Sequence, residues 1–124
     1  MARFRYIVTD VDQAVAFYTS ILGFSLEQNF APAVAILQRE DLELVVSGPK
    51  ASASRPMPDG SQPVSGGWNR IVILTEDLDK LVSKLREEGI KFRNEILPGP
   101  GGSQILCEDP SGNPIELFQP ANPK

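Results

Sequence analysis

Asp109-Pro110-Ser111-Gly112-Asn113-Pro114-Ile115-Glu116-Leu117 reads as a tight turn running into a strand that carries one acid between two aliphatic residues. Pro110 fixes φ, Gly112 and Asn113 tolerate positive φ, and Ile105-Leu106-Cys107 supplies the other arm of a hairpin. Alternation along the strand points Glu116 away from the face that Ile115 and Leu117 bury. An acid on the open face of a sheet is either a site residue or a solvated one, and the turn alone does not decide between them.

Outward from this strand, the chain reads as one unit written twice. Phe4, Tyr6 and Val8 alternate with Arg3, Arg5 and Ile7, the period of a strand. Asp10 follows as a helix N-cap, and Val11, Ala14, Val15, Tyr18 and Leu22 recur at helical spacing until Gly23 stops the run. Residues 24–30, 33–38 and 42–47 read as three strands. After the Pro-, Ser- and Gly-rich residues 49–67, expected to be a linker or flexible flap, the order begins again. It runs as a strand over 70–74, a helix from Asp77 through Leu85 to Gly89, and strands over 91–96, 104–108 and 114–119.

The spacing supports a duplication. Asp10 and Asp77 are 67 positions apart (77 − 10), and the same offset carries Arg3 onto Arg70 and Val15 onto Val82. Leu42-Glu43-Leu44 matches Ile115-Glu116-Leu117 at an offset of 73. If the halves pack about a pseudo-twofold axis, Arg3 faces Arg70 and Glu43 faces Glu116 across a shared concavity.

Composition excludes several functions. A formal charge of −4 and a pI near 4.8, with Lys and Arg scattered, leave no basic face for nucleic acid. No apolar run approaches the roughly 20 residues of a spanning helix, so no membrane partner is expected and the protein is expected to be cytoplasmic. Cys107 is the single cysteine and sits in an apolar strand, where it reads as a small buried hydrophobe. The chain has no histidine, which removes the commonest general base and the commonest metal ligand together.

The repeated unit, with Asp10-Val11-Asp12-Gln13-Ala14-Val15-Ala16-Phe17-Tyr18 and Leu22-Gly23-Phe24 in the first copy and Asp109-Pro110-Ser111-Gly112-Asn113 in the second, resembles the vicinal oxygen chelate superfamily. That group contains glyoxalase I, extradiol dioxygenases, fosfomycin-modifying enzymes and bleomycin-resistance proteins. The resemblance implies one α+β domain over residues 1–124, with module 1 at 1–48 and module 2 at 68–120. Each βαβββ module would curve a mixed sheet around a shared cleft. It also implies metal-ligand positions at Arg3, Glu43, Arg70 and Glu116. A guanidinium has no lone pair to offer a metal, so neither a metal nor another cofactor is expected.

The expected cleft residues are Arg3, Arg5, Glu43, Trp68, Arg70, Glu116 and Phe118, with Glu116 the one candidate for catalysis as a metal-free base. Arg3 or Arg70 is expected to form charge-assisted hydrogen bonds to Glu43 or Glu116. Trp68, beside Gly66 and Gly67, either closes over a flat ligand or anchors its loop on the core. Residues 98–102 read as a turn or pocket lip, because no helix follows to make a phosphate loop. The function expected is a homodimeric small-molecule binding protein of the bleomycin-resistance type. A glyoxalase- or dioxygenase-like enzyme with a non-standard metal site is the alternative, and a structural or regulatory module with a vestigial cleft is the third reading.

Overall fold

In the computed structural model, which describes residues 2–121, the order of one strand, one helix and three strands occurs twice. The chain divides into two units, one running to Gly66 and taking in Pro110–Asn113, the other made of Gly67–Asp109 and the chain from Pro114 on.

In the first unit β1 (Ala2–Ile7), β2 (Ser25–Phe30), β3 (Val34–Arg39) and β4 (Leu42–Ser47) form a mixed sheet in the order β1-β4-β3-β2. β1 runs parallel to β4, and a parallel pair needs a long crossover, here supplied by helix α1 (Val11–Ser20) and the β2–β3 hairpin. Central strand β4 buries Leu44, Val45 and Val46, and Leu37 and Ala35 of β3 are enclosed beside it. Each enclosed leucine contributes roughly 1.5–3 kcal/mol. The Asp10 side chain accepts the Gln13 N–H at 3.0 Å, satisfying a donor that the first helical turn leaves over. Tyr18 is fully enclosed, edge-on to Phe17 and Phe24 at centroid distances of 5.0 and 5.5 Å. At Gly23 φ is +75°, which lets the Phe24 N–H return to the Tyr18 carbonyl oxygen at 3.0 Å.

The stretch expected as a linker or flap carries structure of its own. It holds a 3-10 turn at Ser52–Ser54 and buries Ala51 and Ser54. Ser54 Oγ donates to the Gly48 carbonyl oxygen at 2.7 Å, and Gln62 Nε2 donates to that of Ser54 at 2.9 Å. Prolines keep this segment out of a ladder, and short polar side chains satisfy its backbone instead. The turn Pro110–Asn113, assigned from sequence to the second module, also belongs to the first unit. Asn113, 2% exposed, donates to the Ile7 carbonyl oxygen and accepts the Gly66 N–H, both at 2.8 Å. Ser111 Oγ accepts the Thr9 N–H at 2.9 Å.

In the second unit β5 (Ile71–Leu74), β6 (Leu97–Gly99), β7 (Gly102–Glu108) and β8 (Pro114–Pro120) repeat the pattern in the order β5-β8-β7-β6. Helix α2 (Leu78–Glu87) buries Leu78, Val82 and Leu85, and its cap Asp77 accepts the Lys80 N–H at 3.1 Å. Ile71, Ile73, Ile105, Cys107, Ile115 and Leu117 form the core face of this sheet. The strand expected over 91–96 is displaced to Leu97–Gly99, leaving only a single bridge between Phe92 and Cys107. Asn94 is the cause: its side-chain oxygen takes the Leu106 N–H at 3.0 Å, a donor that a regular ladder would have used. Residues 98–102 become a tight hairpin with Gly99 paired to Gly102.

Candidate functional site

Of the arginine–glutamate pairs expected from sequence, each unit closes one within itself. Arg3 Nε donates to Glu43 Oε1 at 2.8 Å, with Arg3 more than half exposed. Arg70 is held more firmly: Nε and Nη2 both donate to Glu116 Oε1, at 3.1 and 2.9 Å, and the two side chains are 29% and 13% exposed. Arg70 Nη1 donates to the Trp68 carbonyl oxygen at 3.1 Å. The Gln104 amide, in the orientation that satisfies both of its ends, donates to Glu116 Oε2 at 3.0 Å and Oε1 at 3.2 Å.

The two pairs are not equivalent in register. Arg3 stands directly across from Glu43, whereas Glu116 stands across from Val72, two residues beyond Arg70. The Val8 N–H closes on the Ser47 carbonyl oxygen and the Thr75 N–H on that of Phe118. Those closures relate β1 to β5 by 67 (75 − 8) and β4 to β8 by 71 (118 − 47). The position equivalent to Glu116 is therefore Val45, and the offset of 73 read from the Leu-Glu-Leu likeness is one ladder step out. A slip of two residues preserves the face of the sheet, which is why alternation did not reveal it.

Beside Arg70 lies an open cavity of about 280 Å³, walled by Trp68, Leu97, Gln104, Leu106, Asn94 and Arg93 among others. Trp68 is 68% exposed, so it is no core anchor. The Arg93 guanidinium lies over its ring at 4.6 Å from the centroid. Arg93 is itself fixed, with Nε donating to Glu108 Oε2 and Nη1 to the Gly67 carbonyl oxygen, both at 2.7 Å. Lys91 Nζ lies 3.7 Å from the other oxygen of Glu108.

Of the expected cleft residues, Trp68 and Arg70 line this cavity, and Glu116 holds Arg70 in place. Phe118 occupies the same face of β8, partly buried and paired in register with Gln104. Arg3, Arg5 and Glu43 belong to the first unit, where Arg5 Nη1 donates to Ser47 Oγ at 2.7 Å. Sequence reading missed Arg93, Gln104, Asn94 and Leu97. Gln104 was within reach, because it alternates with Leu106 and Glu108 along a strand that had been recognised. Arg93 alternates with Lys91 and Glu95 along an expected strand, but nothing in the sequence pairs it with Trp68. A second cavity of about 280 Å³ lies in the first unit, lined by Ile7, Val8, Pro49, Ser54, Pro63 and Val64 among others, with no charged side chain.

A resident metal does not fit the residues present. No group of three or more Asp, Glu, His or Cys side chains that could hold an ion occurs among the described residues. Glu43 accepts from one guanidinium, and both oxygens of Glu116 accept N–H donors already. At Glu116 a cation would have to displace Arg70 or Gln104, and Glu43 by itself offers too few donors for a resident ion.

The family model of the Glyoxalase/Bleomycin resistance protein/Dioxygenase superfamily matches residues 1–117, and the chain belongs to this family. Its two βαβββ modules are the fold of that family. A lactoylglutathione lyase of Arabidopsis thaliana is 28% identical in an alignment of 123 positions that covers 92% of this chain and 42% of the relative. The chain thus spans less than half the length of that relative. The uncharacterized protein YaeR of Escherichia coli is 28% identical in an alignment of 116 positions that covers 91% of this chain and 90% of that one. Among solved structures, the antibiotic binding protein TnmS3 from a Streptomyces species is 26% identical with a TM-score of 0.73, covering 96% of this chain and 93% of that one. A lactoylglutathione lyase from Agrobacterium tumefaciens gives a TM-score of 0.74 at 18% identity over 96% and 92% of the two chains, a likeness of fold alone.

Proposed function

We propose that this protein binds a small organic molecule without the help of a metal. The observation that carries the reading is the Arg70–Glu116 contact at 2.9 Å beside an open, largely apolar cavity. A guanidinium that already occupies the carboxylate gives the site a fixed cation of its own, and it cannot be exchanged or chelated away. The likeness to TnmS3, described as an antibiotic binding protein, supports the same direction. A homodimer is part of this proposal, supported by Val72 and Leu74 of edge strand β5, which are 49% and 61% exposed. So is a cytoplasmic location; no helix among the described residues is long and apolar enough to cross a membrane.

The test is a thermal-shift screen of a chemically diverse small-molecule library, run with and without a chelator, alongside elemental analysis of the dialysed protein. Ligand-induced stabilisation that survives chelation is expected, with no stoichiometric transition metal. Stabilisation only when zinc, nickel, iron or manganese is added would overturn the reading.

A second reading, a lyase related to glyoxalase I, is favoured by the curated relatives named as lactoylglutathione lyases. Its weak point is local. Both oxygens of Glu116 already accept donors, which leaves the carboxylate poorly placed to take a proton from a substrate. Turnover of a glutathione hemithioacetal by the metal-supplemented protein would establish it over the binding reading.

A further inference from the structure

Trp68 presents an unusual combination: a large aromatic ring that is mostly exposed and yet held in place. Arg93 covers one face, and Arg93 cannot swing away without giving up Glu108 and the Gly67 carbonyl oxygen. The Arg93 side chain is mostly buried, at 16% exposure, so the platform is built from below. A cation seated on an indole face is attractive through the ring quadrupole and fixes the ring plane. Nothing in the second unit turns Trp68 inward, so at 68% exposure the remaining surface of the ring is open and walls the cavity.

The rest of the cavity adds a shape and a charge. Leu97 and Leu106 supply apolar wall around the tryptophan. Arg70 supplies donors: with Nε, Nη1 and Nη2 each making a hydrogen bond, two of the five N–H groups of a guanidinium stay uncommitted. The two charged side chains that line the cavity, Arg70 and Arg93, are both cations, each paired with one carboxylate, Glu116 and Glu108. A neutral aliphatic ligand would use neither the ring nor the guanidinium donors.

We infer that the cavity takes a planar aromatic molecule bearing an anionic oxygen group, its ring stacked on Trp68 and its oxygens on the uncommitted N–H groups of Arg70. The inference rests on the proposed binding function and narrows it to a class of ligand. A fork of two N–H donors matches the two oxygens of a carboxylate, and stacking on an immobilised ring costs little conformational freedom. A cavity of about 280 Å³ suits one or two fused rings. Glu116, Gln104 and Glu108 act here as positioning residues, since they hold Arg70 and Arg93 and need not touch the ligand.

The experiment uses 2-naphthoate as the probe, with decalin-2-carboxylate as its saturated counterpart and 2-naphthylmethanol as its uncharged one. Binding is measured by isothermal titration calorimetry. It is followed in parallel through the indole N–H resonance of Trp68, the only tryptophan in the chain. Naphthoate is expected to bind at least about tenfold more tightly than either counterpart and to shift the indole signal. Trp68→Leu, a change at an exposed site that leaves the core alone, should abolish the preference of naphthoate over decalin carboxylate. Arg70→Lys, which keeps a cation for Glu116 but removes the planar fork, should reduce the preference over naphthylmethanol. Equal binding of the three probes, an unchanged preference in Trp68→Leu, or no binding of naphthoate at millimolar concentration overturns the inference. If library compounds of another class still bind with the chelator present, the broader proposal survives that failure; if none binds, both fall.

Discussion

Asn113 donates its side-chain amide to the carbonyl oxygen of Ile7 at 2.8 Å, joining residues 106 positions apart in the chain. The same side chain accepts the Gly66 N–H, so one nearly buried amide satisfies a donor and an acceptor of the main chain. Asn113→Ala should cost about 1–3 kcal/mol for each main-chain group left without a partner. Asn113→Asp keeps the bond to Gly66 but sets a carboxylate against the Ile7 oxygen. Urea unfolding of both variants checks this; midpoints unchanged from the parent protein would show that the bonds contribute nothing.

The two arginine–glutamate pairs should differ in strength because they differ in exposure. Glu116→Gln should destabilise by about 1.5–3 kcal/mol, the range for hydrogen bonds to a charged group that is mostly out of water. Glu43→Gln, whose partner Arg3 is 56% exposed, should cost less than about 1 kcal/mol. Glu40→Gln serves as a surface control. Equal losses at Glu43 and Glu116 would mean that the second pair is as well hydrated as the first.

Cys107 is fully enclosed, and burial first, then the nearby Asp109 and Glu108 carboxylates, push its thiol from 9.0 up to about 12. The folded protein should therefore resist alkylation by iodoacetamide at pH 8.5 and react promptly once unfolded in urea. The sign for stability follows. Above pH 9 the unfolded chain loses this proton while the folded chain keeps it, so the contribution present below pH 9 is lost as pH rises toward 12. Cys107→Ala should flatten the decline of stability with pH over that window. A parent and variant with the same alkaline slope would contradict it.

At Gly102 φ is +144°, and a Cβ added there would run into the Gln119 carbonyl oxygen and lie 2.9 Å from Phe118 Cζ. Gly102→Ala is expected to cost at least about 1–3 kcal/mol from backbone strain, with the clash in addition. Gly101→Ala, one residue away with nothing within 4 Å of a new Cβ, should be close to neutral. Thermal unfolding of the pair distinguishes a special position from a merely glycine-rich turn.

Most of the fold was legible because it rests on local signals. Asp10 and Asp77 announce helix starts, Gly23 and Gly89 announce stops, and alternation sorts Ile115 and Leu117 from Glu116. What failed was anything set by a partner far along the chain. The strand expected over 91–96 lost its ladder to the Asn94 side chain, and β4 and β8 differ in register by a step that alternation cannot see. The site divides in the same way. Trp68, Arg70 and Glu116 stood out by residue type beside a strand, whereas Arg93 became meaningful only when Glu108 and the Gly67 carbonyl placed it against the indole.

The path of the chain leaves the first unit after Gly66, re-enters it for four residues at Pro110–Asn113, and leaves again. A gene cut at that first departure would encode a fragment whose Ile7 oxygen and Gly66 N–H have lost their shared amide. The missing piece is a loop made later in synthesis, so the earlier copy of the repeat waits for the later one before these main-chain groups are satisfied. The first copy of the repeat has in this way become dependent on a loop of the second. A synthetic nonapeptide of residues 109–117, supplied to the severed fragment, would carry the amide that the cut removes.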